Sequence, residues 1–423
     1  MLRIIEKERI AAELKRILNK RSLLADPQIE KRVAEIIGAV RENGDAAIRE
    51  LTLKYDQVEL SDLRVSPEEI AAAASKAGEE FISALRTAIL NINAYHQKQK
   101  SEEWFETAPD DAVLGMRSLP IEVVGLYVPG GRAAYPSTVL MNAIPAQIAG
   151  VSRIVMVSPP EISPYVLAAA RELGISEIYQ VGGAQAIAAL AFGTETIPQV
   201  DKIVGPGNIY VTLAKKLVFG TVGIDSLAGP SDIAIIADYE SEAAFIAADL
   251  LAQAEHDPHS SAILITDSRD LIGQVNSEIK QQLAKLKRKE VIEAALKENG
   301  AAFLLDSLSQ AAGLTNQLAP EHLEILSSPP QKILEKIKCA GAVFLGPYSP
   351  VAVGDYIAGP NHVLPTGGTA RFSSPLSVYD FIKRQSILGY TKPALERVRR
   401  SAELLAKLEG LDAHARSIEI RFA

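Results

Sequence analysis

A histidine-rich helix end is where this chain first offers residue types at a spacing that could do chemistry. In Gln253-Ala-Glu-His256-Asp257-Pro-His259, Gln253 and His256 stand three apart, which puts both on one face of a helix. Upstream, Ala243, Ile246, Ala247, Leu250, Leu251 and Ala254 recur at helical spacing, so the stretch reads as a last helical turn. Asp257-Pro258 ends it, since the residue before a proline is pushed out of helical geometry. An amide oxygen and an imidazole nitrogen opening into a loop suit a metal or a polar substrate. Two donors are too few for a zinc site, so other ligands must come from elsewhere.

Three further segments carry such groups. Leu318-Ala-Pro-Glu321-His322-Leu-Glu324 places a carboxylate beside an imidazole, two bases with pKa values near or below neutrality. Pro320 is expected to open a short helical turn, with Glu321 and His322 reaching a ligand from different directions. The stretch from Pro350 to His362 reads as a loop of small residues that presents Asp355 and His362. It continues to Gly368 without a periodic pattern, and ordered loops of that length are usually functional. In the tail, Glu409-Gly-Leu-Asp412-Ala-His414 reads as a helix C-cap at Gly410 and a new cap at Asp412. Taken locally, His414 there is simply an exposed residue on a charged helix. Of six histidines, only His96 lies outside these segments, on a plain helix.

Glycine marks several strand ends, at Pro129-Gly-Gly-Arg132, Gly182-Gly183 and Gly205-Pro-Gly-Asn208. Free amides before a helix suit an anion, but ordinary tight turns have the same composition. The chain contains no G-x-G-x-x-G, so the standard dinucleotide fingerprint is absent.

The elements that must position these groups read as α/β. Residues 1–22 form a charged amphipathic arm, and Pro27 to about Gln99 is helical, with a start at Ser66-Pro67-Glu68-Glu69. Residues 112–124 look like a strand pair around Pro120. From Gly125 strands and helices alternate: Val123–Val128, Ile154–Val157, Ile178–Val181 and Lys202–Val204 are strands, with helices between. A second run has strands at Ile233–Ala237, Ala262–Thr266, Ala302–Leu305, Leu323–Leu326 and Ala342–Phe344. This rhythm predicts parallel sheets covered on both faces. The expected division is a helical arm over 1–23, one α/β domain from 24–124 with 233–376, a second over 125–232, and a C-terminal helical arm over 377–423. The early helices go with the later sheet because they need one to cover.

Bulk properties narrow the class. The 423 residues are 48% hydrophobic and 23% charged, as in an ordinary globular protein of about two to four domains. The net charge of -8 carries no basic block, which argues against nucleic acid as a partner. One cysteine, Cys339, forbids an intrachain disulfide and fits a reducing compartment; it is expected as a small buried hydrophobe. No apolar run reaches membrane-spanning length. The N-terminus mixes charges of both signs, unlike a targeting segment, so the expected location is the cytoplasm.

Taken together the motifs resemble the histidinol dehydrogenase family. The matching segments are Gly125-Leu-Tyr-Val-Pro-Gly-Gly-Arg132, Gln180-Val-Gly-Gly-Ala-Gln185, Val204-Gly-Pro-Gly-Asn208, Ala228-Gly-Pro-Ser231, Leu251-Ala-Gln-Ala-Glu-His256-Asp-Pro, Ala319-Pro-Glu-His322-Leu, Gly354-Asp-Tyr, Gly359-Pro-Asn-His362 and Glu409-Gly-Leu-Asp-Ala-His414. They span nearly the whole chain in family order. The resemblance implies two incomplete Rossmann-like parallel-sheet domains with helical arms. It implies one zinc per subunit on Gln253, His256, Asp355 and His414, the last from the partner of a homodimer through an exchanged C-terminal arm. Ser231, His322, His362 and Glu409 would join the metal ligands in binding L-histidinol. Tyr127, Gln185 and Asn208 would contact NAD, and Glu321 and His322 would be the acid–base pair. The implied reaction is the last step of histidine biosynthesis, in which L-histidinol, two NAD⁺ and water give L-histidine and two NADH. One position departs: the family usually has Glu after Gly-Pro-Ser, and this chain has Asp232.

Two other readings compete. A dehydrogenase of the same superfamily acting on another small alcohol would discard the residues that fit imidazole and ammonium, yet His362, Glu409 and His414 are present. A metal-dependent hydrolase using Glu321 as base would leave Tyr127, Gln185 and Asn208 without work.

Overall fold

The computed structural model describes residues 1–20, 27–100, 102–130 and 134–423, with only the backbone at Ala74. The end of the Pro129-Gly-Gly-Arg132 turn and the last residues of the expected N-terminal arm lie outside them. In chain order the strands are β1 (Arg3–Ile5), β2 (Trp104–Thr107), β3 (Val113–Pro120), β4 (Val123–Tyr127), β5 (Arg153–Ser158), β6 (Glu177–Gln180), β7 (Lys202–Val204), β8 (Gly223–Ile224), β9 (Asp232–Ile236), β10 (Ser261–Thr266), β11 (Gly300–Leu304), β12 (His322–Ile325), β13 (Ala342–Leu345) and β14 (Ile382–Gly389). The helices are α1 (Ile10–Lys20), α2 (Pro27–Asp56), α3 (Pro67–Lys76), α4 (Glu79–His96), α5 (Pro136–Ala149), α6 (Pro164–Glu172), α7 (Gly183–Phe192), α8 (Ile209–Val218), α9 (Ala243–Ala254), α10 (Arg269–Leu283), α11 (Lys289–Asn299), α12 (Ala311–Leu318), α13 (Gln331–Leu334), α14 (Val351–Tyr356), α15 (Lys392–Leu408) and α16 (Asp412–Glu419).

Two parallel sheets organise the molecule, with orders β6-β5-β4-β7-β8 and β1-β11-β10-β9-β12-β13. Leaving β1 aside, both follow the same winding: two strands run one way from a starting strand, then the chain returns to its other side for two more. The reversal falls between β4 and β7 in one sheet and between β9 and β12 in the other. Strand alternation builds the two faces of each sheet. Val124, Leu126 and Val128 join one apolar cluster, and Tyr127 the opposite one with Val155, Val157 and Ile203. In the second sheet Ile233, Ile235 and Leu264 face α9 to α11, while Ala234, Ile236 and Phe303 face α1 and α12. The α/β expectation therefore holds, with both sheets covered on both faces.

Several expectations about the ends and early helices need correction. The helices between Pro27 and His96 cover the β4–β8 sheet, not the later one: α2 packs on α7 and α8, α3 on α6, and α4 on α5. Ser66 does cap α3, accepting from the Glu69 N–H at 3.1 Å while Glu69 accepts from the Ser66 N–H at 2.8 Å. Strand β1 pairs with β11, and α1 packs its apolar side on the same sheet, so this end is built into the fold and is not a solvated arm. At Pro120 the strands do not pair with each other: β3 lies between β2 and β14 in an antiparallel sheet, and β4 enters the parallel one. The tail was expected to be helical from Ser377, but β14 precedes α15. Its run of consecutive exposed polar residues, Lys383 to Ser386, gives no alternation that marks a strand. Asp412 is the first residue of α16 and Leu411 its cap. Cys339 is only half-buried.

Gly44 shows why α2 bends. Its φ is 49°, and a Cβ there would lie 2.2 Å from the Glu195 carboxylate. The next residue, Asp45, is buried and accepts from Thr194 Oγ1 at 2.6 Å and from the Thr196 hydroxyl, which ties α2 to the turn after α7. No described helix is long and apolar enough to cross a membrane.

Candidate active site

Glu321 and His322 sit where β12 begins, and Asp232 where β9 begins, in adjacent strands. The expected helical turn at Pro320 is not formed. Ala319, at φ 45°, ends α12, and the chain then runs straight into a strand. Glu321 and Asp232 hold each other reciprocally. The Glu321 N–H donates to Asp232 Oδ1 at 2.9 Å, and the Asp232 N–H donates to Glu321 Oε2 at 3.1 Å. Burial pushes the Glu321 carboxyl up to about 7, with the Asp232 charge adding to it and His322 opposing.

His322 is buried. Its Nδ1 lies 3.2 Å from the Asp232 carbonyl, which can only accept, so Nδ1 carries the hydrogen. Its Nε2 lacks a hydrogen-bond partner and lies 3.8 Å from Asp355 Oδ1. Burial alone would lower the His322 pKa; the charges of Glu321 and Asp355 outweigh it and raise the ring to about 9.

Asp355 does not sit in a loop as expected. It lies on α14, whose start is tied back to β12 by the Val351 N–H donating to Glu324 Oε1 at 3.2 Å. Its carboxyl is held below its ordinary value: burial acts the other way, but the neighbouring His322 ring 3.8 Å away and the charges of His362 and His256 prevail. His362 Nδ1 is held at 2.9 Å by the Asp355 carbonyl, and burial lowers its pKa. Gln253 ends α9 fully buried with its amide nitrogen unpartnered, and His256 follows one turn later with exposed surface and a pKa lowered by desolvation. Ser231 hydrogen-bonds Glu321 from the residue before β9. His256, Glu321, His322, Asp355 and His362 thus lie close to one another, and Gln253 stands one turn before His256.

This cluster lies at the amino ends of β9 and β12, whereas open parallel sheets ordinarily bind at their carboxyl ends. The helix returning from β9 explains it: α9 runs back along the sheet and delivers Gln253 and His256 to the amino edge. Its C-terminus carries partial negative charge there, which favours a cation.

Among the described residues, no three His, Cys, Asp or Glu side chains gather closely enough to hold a metal unaided. The expected set contains only His256 and Asp355 of these types near the site, because Gln253 is an amide and His414 is elsewhere. The unpartnered buried amide of Gln253, the neutral-leaning His256 and the ionised Asp355 are a mixed oxygen and nitrogen set, which fits a borderline cation such as zinc. His414 and Glu409 are both exposed, on α16 and at the end of α15. Within this chain they do not join the cluster.

The other sheet gathers the remaining predicted groups at its carboxyl edge. Tyr127 ends β4, and its hydroxyl accepts from the Gly183 N–H at 3.2 Å where α7 begins. Burial pushes that phenol up to about 12. Gln185 is buried in the first turn of α7, and Asn208 caps α8, accepting from Tyr210 N at 3.0 Å and Val211 N at 3.2 Å. Residues after β4, β6 and β7 therefore meet beside the β4–β7 reversal, where such sheets bind nucleotides.

Sequence reading missed two groups here. Asp232, noted only as a departure, fixes the Glu321 backbone and carboxylate. Glu324 is fully buried beside Asp249 of α9, with one oxygen lacking any donor. Burial pushes the Glu324 carboxyl up to about 8, with the nearby Asp249 charge adding to it. The alternation His322, Glu324 on one strand face and the i, i+4 pair Asp249, Gln253 were the available signals. An acid whose pKa is raised on folding contributes stability below its ordinary 4.5 and loses it as pH climbs to about 8. Glu324→Gln keeps the Val351 contact and removes that titration. The melting temperature of the variant relative to wild type should therefore rise from about pH 5 to about pH 8; parallel curves would show that Glu324 does not titrate in that window.

The histidinol dehydrogenase family model matches residues 19–422. The chain is 54% identical over 393 residues to the histidinol dehydrogenase of Halalkalibacterium halodurans, covering 92% of this chain and 93% of that one. It is 52% identical over 428 aligned positions to that of Synechococcus sp., covering 100% and 99%. The crystal structure of histidinol dehydrogenase from Elizabethkingia anophelis superposes with a TM-score of 0.90 at 39% identity, over 94% of this chain and 92% of that one. The chain belongs to the histidinol dehydrogenase family.

Proposed function

We propose that this chain oxidises L-histidinol to L-histidine through L-histidinal kept in the site, reducing two NAD⁺. The observation that carries the reading is the buried Glu321–His322 pair, anchored on Asp232, with the unpartnered His322 Nε2 facing Asp355. Gln253, His256 and Asp355, with His414 of a partner subunit, would hold the zinc. When bound, zinc supplies a fixed attachment for the imidazole and amino nitrogens of the substrate. NAD⁺ supplies the hydride acceptor for both oxidations.

The residues then divide the proton work. His322 is fixed with Nδ1 on a carbonyl, so Nε2 is the atom that takes the alcohol proton once the ring is in its neutral form, which its raised pKa places at alkaline pH. Glu321 is positioned by two backbone contacts and acts as base on the water that adds to the aldehyde. His322 takes the proton of the resulting diol in the second oxidation. Ser231, His362 and Glu409 complete the substrate contacts, and Tyr127, Gln185 and Asn208 receive NAD at the other sheet. The anionic dinucleotide would lie at helix N-termini and the cation at a helix C-terminus, as their dipoles favour.

The unfinished metal site and the exposed apolar tail both support an exchanged homodimer. Leu404, Leu405, Leu408 and Ile420 are 57%, 61%, 76% and 55% exposed in the single chain, and such a surface needs a partner. Removing metal with a chelator should abolish turnover of L-histidinol while NAD⁺ still binds in a titration. Full turnover by protein verified metal-free would overturn the zinc reading.

A further inference from the structure

Lys215 on α8 and Asp225 just past β8 form an ion pair whose side chains are only 3% and 4% exposed. Neither touches the catalytic cluster. Both instead grip one glycine. Lys215 Nζ donates to the Gly205 carbonyl at 3.0 Å, and the Gly205 N–H donates to Asp225 Oδ2 at 2.8 Å. Asp225 Oδ1 accepts from Lys215 and from the Ser226 N–H at 2.6 Å.

Gly205 follows β7 with a φ of 116°, and a Cβ there would lie 2.1 Å from the Tyr127 carbonyl oxygen. This residue is therefore the close contact between the ends of β4 and β7. Three residues later Asn208 caps α8, the helix that carries Lys215. The pair thus ties together three things: the turn after β7, the helix that turn opens, and the strand end at β8. Burying two charges costs several kcal/mol of desolvation, which ordinary turn hydrogen bonds would avoid. What the charges add is a fixed register.

We propose that Lys215 and Asp225 are positioning residues for NAD, setting the separation of Tyr127 and Asn208 through Gly205. The inference rests on reading this edge as the NAD site. It is tested on the zinc-loaded dimer with Lys215→Met, the isosteric Asp225→Asn, and Asn208→Ala as a check on the site itself. NAD⁺ affinity by calorimetry, the KM of each substrate and the melting temperature are measured for all three. The expected result is NAD⁺ affinity at least about tenfold weaker in both pair variants, with the L-histidinol KM within about twofold. Asp225→Asn keeps the side-chain volume but replaces one accepting oxygen with an NH2 that cannot accept, so it breaks the grip with little change of packing, and the melting temperature separates loss of positioning from loss of folding. Lowered melting temperatures with unchanged NAD⁺ affinity, or with both KM values moving together, would make the pair a plain structural staple and overturn the proposal. If Asn208→Ala leaves NAD⁺ affinity unchanged, the site reading itself fails, and the proposal with it.

Discussion

Glu321→Gln should leave the protein oxidising alcohol while its oxidation of supplied L-histidinal falls by roughly 10²- to 10⁴-fold, the usual worth of a positioned base. Glutamine keeps the shape and still accepts from the Asp232 N–H, so the Asp232 anchor survives. What is lost is the carboxylate that activates water, which only the second oxidation needs. His322→Asn should depress the first oxidation by a similar factor, since Nε2 is the only part of that ring free to take a proton. The wild-type profile carries the same signature. Glu321 works as the anion, and its carboxyl is pushed up to about 7. The carboxylate fraction, and with it aldehyde oxidation, should therefore fall as pH drops through that value. Equal losses in both half-reactions for both variants would contradict this division of labour.

Mixing two variants, each unable to complete the oxidation, should restore L-histidine formation. His414→Asn lacks the ligand on the tail, and Glu321→Gln lacks the base on the body. If the tail serves the partner's site, a mixed dimer holds one wholly wild-type site and one doubly defective site. Random exchange of subunits makes about half the dimers mixed, so activity should return to about a quarter of wild type. If His414 served its own chain, every site in every mixed dimer would carry one defect, and no activity would return. The single chain already favours exchange, because His414 is exposed on α16 and the cluster around His322 lacks a fourth ligand.

Local chemistry in this chain was legible where hydrophobic periodicity was strong. Lys202–Val204 and Ile209–Val218 are found with the boundaries that the pattern suggests. Gln253 lies in the last turn of α9, and His256, two residues past its end, lies near Asp355, about a hundred residues downstream. What the pattern could not convey was which sheet a helix covers. Residues 27–96 are amphipathic either way, and only the shape of the β4–β8 sheet decides that they pack there. The edge of the sheet was also hidden. Strand order and helix direction place Glu321 and His322 at the amino ends, and neither is written in local spacing. Pro320 was misread for a related reason. Proline opens helices and strands alike, and Ala319 in a left-handed conformation turned the balance. Buried charge was hardest to see: Asp249, Glu324, Lys215 and Asp225 look like ordinary surface residues until the fold encloses them.

The central claim is a four-electron oxidation completed in one site. The most direct test supplies purified protein with L-histidinol and NAD⁺ and counts both products. Two NADH should form for each L-histidine, with no L-histidinal accumulating in solution. A ratio of one, with free aldehyde as the product, would contradict the account.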